Sequence, residues 1–135
     1  MIKISELKVG DLIMVDFDGT LMNGEVLEVN IGQKLANVRT NGQNDFWYGG
    51  ESLNPIPLNE EALQMLSFQR QDGEEGTVKF MKGAFRIQLE KKDDFSAIHF
   101  WYREDRRHVN NAISVHQLQN YYLDMTKVHL TAEAI

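Results

Sequence analysis

The chain has 135 residues, 42% of them hydrophobic and 25% charged, with a formal net charge of −6 and no cysteine. That length suits one domain or two small ones closely joined, and the composition is that of a globular protein that buries a core without staples. The lack of cysteine excludes disulfides, thiolate zinc sites and cysteine nucleophiles together, and the acidic balance argues against wrapping of nucleic acid by the whole surface.

The opening residues, Met1-Ile2-Lys3-Ile4-Ser5-Glu6-Leu7-Lys8, lack the apolar core of a signal peptide. No apolar run approaches the roughly 18 residues of a membrane span. The expectation is a cytoplasmic protein with no membrane partner.

Residues 1–57 read as short strands. Ile13, Val15 and Phe17 alternate with Leu12, Met14 and Asp16, and Leu27, Val29 and Ile31 alternate with Glu28 and Asn30, the period of half-buried strands. Gly10-Asp11, Asp18-Gly19, Asn23-Gly24, Asn41-Gly42 and Gly49-Gly50 mark turns because these residues tolerate positive φ. Short strands at this spacing predict a small SH3-like β-barrel. Asn54-Pro55-Ile56-Pro57 then breaks the pattern as an extended connector. A helix is predicted from Asn59, a good N-cap, with Glu60 and Glu61 in the first turn and Leu63 and Leu66 in its apolar stripe. Residues 71–76 read as a loop.

Residues 77–110 predict an antiparallel meander whose register follows from three turn assignments. A turn at Lys82-Gly83 sets Phe80 against Phe85 and Val78 against Ile87. A loop from Lys91 to Asp94 sets Ile87 against Ile98 and Phe85 against Phe100. A turn at Glu104-Asp105 sets Phe100 against Val109 and Tyr102 against Arg107. Together they gather Val78, Phe80, Phe85, Ile87, Leu89, Ile98, Phe100 and Val109 on one face, which a one-residue slip would scatter. Ser114-Val115-His116-Gln117 fits a capping box. Val115, Leu118, Tyr122 and Met125 follow at helical spacing, with Tyr121 beside them, as a stripe to cover the meander. Lys127–Thr131 reads as a short final strand. The predicted fold is α+β: a small barrel-like half over 1–57, then helix, four-strand meander and covering helix over 58–135.

Three stretches, Ser5-Glu6-Leu7-Lys8-Val9-Gly10-Asp11, Pro55-Ile56-Pro57-Leu58-Asn59-Glu60-Glu61 and Val115-His116-Gln117-Leu118-Gln119-Asn120-Tyr121-Tyr122, resemble in order and spacing a family of short uncharacterised proteins from prophages and mobile elements of Bacteroidetes. The resemblance implies a phage-related, cytoplasmic setting and brings no catalytic residue with it.

Charge is unevenly spread. Residues 1–57 carry four Lys/Arg against eight Asp/Glu, residues 58–76 one against five, and residues 77–113 eight against five. The opposite face of the predicted meander holds Lys79, Arg86, His99, Trp101, Arg103, Arg106 and His108, with Arg86 expected opposite His99 and Trp101 opposite His108. Cations around an indole and two imidazoles suit phosphate or a stacked base, so a protein or nucleic-acid partner is expected at this face. Phe46-Trp47-Tyr48 offers a second aromatic cluster, for a ligand groove or for the barrel core. The histidines form no metal-binding motif, and His99 with His108 makes too few ligands for zinc. The paired acids at Glu60-Glu61, Glu74-Glu75, Asp93-Asp94 and Glu104-Asp105 are adjacent and cannot face one another as an acid–base pair. No nucleophile elbow, dinucleotide fingerprint or P-loop occurs, so no cofactor and no metal are expected. The residues point to a non-catalytic binding or adaptor module. The alternatives are an acidic interaction protein working through its N-terminal half and a small enzyme.

Overall fold

The computed structural model describes residues 1–40, 44–73 and 76–131. The fold is α+β, two five-stranded antiparallel sheets with two α-helices. The chain divides into two units: Met1–Ile56 with Ser114–Asn120, and Pro57–Ile113 with the residues from Tyr121 onward.

The first unit contains β1 (Leu12–Phe17), β2 (Thr20–Asn30), β3 (Leu35–Thr40), β4 (Asn44–Gly49) and β5 (Leu53–Asn54), ordered β4-β3-β2-β1-β5. Among the described residues no ladder joins β4 to β5, so this half is an open sheet and not a closed barrel. The β1–β2 hairpin closes between Phe17 and Thr20. Asp18 and Gly19 lie at φ 53° and 83°, the two positive angles of a type I′ turn. The turn expected at Asn23-Gly24 does not form. Gly24 sits inside β2, opposite both Ile13 and Thr40, where a Cβ would fall 2.5 Å from Val38 Cγ1; glycine is there for close approach. A bulge between Val26 and Glu28 breaks the expected alternation, because the extra residue brings Val26 and not Leu27 to the core face while Val29 keeps its side. Val26 is buried, Val29 packs partly on the core and Ile31 is exposed. Phe17 is likewise half-exposed, its ring 6.5 Å from that of Phe46. Asn41-Gly42 lies outside the described residues. The core is aliphatic: Ile2, Ile4, Leu7, Ile13, Val15, Val26, Ala36, Val38 and Leu53.

In the second unit, α1 (Glu60–Met65) starts where Asn59 Oδ1 accepts the Ala62 N–H at 2.8 Å. β6 (Gln69–Asp72), β7 (Val78–Lys82), β8 (Phe85–Leu89), β9 (Ile98–Tyr102) and β10 (Asp105–Val109) follow in the order β10-β9-β8-β7-β6. β6 occupies part of the expected 71–76 loop. It is an edge strand of polar residues, so no apolar alternation marks it.

The meander forms, but in each hairpin the cross-strand partner is two residues from the expected one. Phe80 pairs with Ile87, Ile87 with Phe100, and Phe100 with Arg107. The turns are Gly83-Ala84 and Arg103-Glu104, with Gly83 and Arg103 both at φ 57°. The middle loop runs from 90 to 97, where Asp94 accepts the Ser96 N–H at 3.0 Å. Because every slip is even, each side chain keeps its face. Val78, Phe80, Phe85, Ile87, Leu89, Ile98 and Phe100 are all buried, and Val109 partly so.

The last helix, α2 (Val115–Thr126), is divided between the units. The capping box is half as expected: Gln117 Oε1 accepts the Ser114 N–H at 2.9 Å, while Ser114 Oγ lies 3.0 Å from His116 Nδ1. In the second unit Tyr122 packs on Phe85, with ring centroids 4.8 Å apart, and Tyr121 on Phe100 at 4.9 Å. The expected strand over Lys127–Thr131 is absent; Lys127 takes φ 64° and leaves extended geometry.

Candidate functional site

The open face of the second sheet carries two transverse rows. One row runs Gln71, Lys79, Gln88, His99, His108, and the next runs Gln69, Met81, Arg86, Trp101, Arg106. Six of the seven residues predicted for this face therefore stand on it. Arg103 does not. It occupies the β9–β10 turn, and its guanidinium lies 5.0 Å from the Tyr102 ring centroid. The two-residue slips also change the pairing. Arg86 stands opposite Trp101, not His99, and His108 stands opposite His99, not Trp101.

The new pairing brings planar groups together. The His99 and His108 imidazoles stack with centroids 4.1 Å apart and planes 3° from parallel. The Arg106 guanidinium sits 5.7 Å over the Trp101 ring, within cation–π range. An open concavity of about 310 Å³ lies over these rings, bordered also by Gln88 and Glu90. Glu90 Oε1 approaches His99 Nε2 at 3.3 Å. Gln88 was legible in the sequence, since it alternates with Ile87 and Leu89. Glu90 was not, because its position depends on the loop length.

The arginines fall into two classes. Arg39 pairs with Glu25 at 3.2 Å, Arg70 with Glu60 and Asp72, and Arg107 with Asp105 and Asp124. Among the described residues, Arg86, Arg103 and Arg106 have no carboxylate partner. Arg86 instead donates to the carbonyls of Gly83 and Phe85. A cation without a carboxylate retains its capacity for an external anion.

The other candidates resolve differently. Phe46 and Trp47 are 52% and 45% exposed. Tyr48 packs partly on the aliphatic core, so the cluster is divided: Phe46 and Trp47 are open and Tyr48 is not. Among the described residues no three His, Asp or Glu side chains could jointly hold a metal ion. No helix there is long and apolar enough to cross a membrane.

A buried polar cluster in the first unit escaped the sequence reading. Gln119 accepts the Leu12 N–H at 2.7 Å and donates to the Gly10 carbonyl at 2.9 Å. Asp11, 3% exposed, accepts the Lys8 N–H at 3.0 Å. Burial pushes its carboxyl up to about 6, against the lowering effect of that bond. His116 is also buried, with Nε2 3.7 Å from Glu6; desolvation holds its imidazole below the usual value. The contacts of Gln119 and His116 join residues more than a hundred positions apart in the chain and fasten the start of α2 to the N-terminal segment. The hydrogen bonds of Gln119 and Asp11 run to backbone groups of the N-terminal segment, the chemistry of a structural clasp.

No protein-family model, curated protein or solved structure matches this chain.

Proposed function

We propose that this protein is a non-catalytic binding or adaptor module, of phage or mobile-element origin and cytoplasmic, which engages an anionic partner through the open face of its second sheet. The observation that carries the reading is the segregation of the arginines. Those bound to carboxylates lie elsewhere, whereas Arg86 and Arg106 flank Trp101 without one, with Lys79 in the adjoining row. Among the described residues these two guanidiniums keep donors open to an external anion, where those of Arg39, Arg70 and Arg107 are taken up by carboxylates. The first unit is read as SH3-like in strand number, and the Phe17–Phe46 contact between strands that are not neighbours fits a strongly curled sheet.

The test is binding of inorganic polyphosphate at low salt. The wild type should bind, and the Arg86→Ala/Arg106→Ala double variant should lose at least about tenfold in affinity. Arg39→Ala, which removes a cation already paired, should bind like the wild type. Equal affinity of the double variant and the wild type would end the reading.

One observation favours a second reading, that of an acidic interaction protein. From Val9 to Gln33 there are five acidic residues and no Lys or Arg, and Phe17, Leu21 and Phe46 are exposed in the same unit. A basic partner whose binding survives the Arg86/Arg106 variant but is lost in Phe17→Ser would support it.

A further inference from the structure

Resting on the reading of this face as an anion site, we infer that its ligand is single-stranded nucleic acid, bound by stacking on the His99–His108 pair and the Trp101–Arg106 pair.

The first ground is planarity. Two parallel imidazoles and an indole capped by a guanidinium border one open concavity. A stack of flat groups is extended by another flat group, and both aromatic rings and guanidinium planes receive bases in this way. An acidic peptide supplies the charge but no plane, so it would leave the ring surfaces unused.

The second ground is spacing. The two rows are two residues apart along the strands, about 6.7 Å at the usual rise. That is roughly twice the ~3.4 Å that separates nucleotides along a duplex strand. A strand that set one base on each row would be unstacked from its neighbour, a state open to single strands and closed to an intact duplex. The third ground is charge placement. Arg86 and Lys79 lie one strand or two strands beyond the ring pairs, where a backbone crossing the rows would carry its phosphates. Gln88, between Lys79 and His99, adds a donor and an acceptor for a base edge. No side chain here forms a fixed, buried donor set, so the recognition is of stacked bases and phosphate, with little sequence preference.

The experiment is fluorescence anisotropy of an end-labelled oligothymidylate about eight nucleotides long, with its duplex form and inorganic polyphosphate as competitors. The expected result is binding that weakens with salt, at a slope of about −0.7 per phosphate contacted. Duplex should compete at least tenfold less well. Trp101→Ala should weaken oligothymidylate binding by roughly tenfold or more and polyphosphate binding by much less, and Trp101→Phe should restore much of the loss. In a Trp47→Phe background, which leaves Trp101 as the single tryptophan, the oligonucleotide should quench the emission. Should polyphosphate bind while oligothymidylate binds no better and ignores Trp101, the nucleic-acid inference is overturned and the anion site stands. Equal competition by duplex also overturns it. If neither ligand binds, both readings fall.

Discussion

The two units have the same number of strands in the same antiparallel arrangement, yet they are held by different chemistry. Among the described residues every buried polar side chain, namely Asp11, Asn37, Thr40, Ser114, His116 and Gln119, belongs to the first unit. Its core is aliphatic, and its helical turns are secured by hydrogen bonds such as those of Gln119. The second unit buries phenylalanines. Phe85 alone meets the rings of Phe68, Phe100 and Tyr122 within 6.2 Å. Large aromatic groups concentrate the burial of this unit on one sheet face, and the polar side chains of the other face lie outside that core. The difference teaches where function can reside: in the unit whose stability lies on one side only, the opposite side is free to hold unneutralised cations.

The largest effect should come from breaking the aromatic side of that contrast. Phe85→Ala opens a cavity among three rings and should cost about 3–5 kcal/mol. Ile13→Val, at an equally buried site in the aliphatic core, should cost only about 0.5–1.5 kcal/mol. Urea unfolding measures both. Trp47 reports on the first unit and Trp101 on the second, so each loss can be assigned. A cost well under about 3 kcal/mol for Phe85→Ala would show that the ring cluster does not carry the second unit.

Next in size is a pH effect confined to the first unit. The Asp11 carboxyl is raised from 3.8 to about 6, so the folded chain holds that proton more tightly than the unfolded one. The stabilisation is complete below about pH 4 and is lost as pH rises to 6, leaving at pH 7 a cost of about 3 kcal/mol. His116 acts in the opposite sense. Its folded value is depressed, so stability increases as pH rises towards 6.5. Asp11→Asn keeps an acceptor for the Lys8 N–H and removes the titration. Between pH 4 and 7 the wild type should therefore lose about 3 kcal/mol relative to this variant, measured by urea unfolding at several pH values. A difference that does not change with pH would show that burial of Asp11 is not what distinguishes this unit.

The contrast also explains what could be read from the sequence. In the second sheet, period-two alternation from Val78 to Val109 assigns the faces, and faces tolerate an error of two residues. The pairings do not tolerate it, and all three moved. Arg103 at positive φ is a conformation that a non-glycine residue seldom signals, and the self-bonded Asp94–Ser96 loop is longer than its charged residues imply. That is why six platform residues were legible but the His99–His108 stack was not. In the first sheet the bulge after Val26 put Val26 in place of Leu27 on the core face while Val29 kept its side, and the Gly24 signal read as a turn was a close approach. Gln119 and Leu12 meet across 107 positions, a separation at which local patterning carries no information.

The smallest effect sharpens the comparison within the second unit itself. Arg106 and Arg107 are neighbours on β10, and alternation sends them to opposite faces. Arg107 joins Asp105 and Asp124 at 3.1 and 2.8 Å and so ties the edge strand to α2. Arg106 lies on the open face over Trp101. Arg107→Ala should cost about 0.2–1 kcal/mol, as partly exposed ion pairs do, and should leave polyphosphate binding unchanged. Arg106→Ala should alter stability by less than about 0.5 kcal/mol and weaken binding. Paired urea titrations and binding measurements on the two variants would separate an arginine kept for the fold from one kept for a ligand. If both properties moved together in either variant, the division of labour between the two faces would not hold.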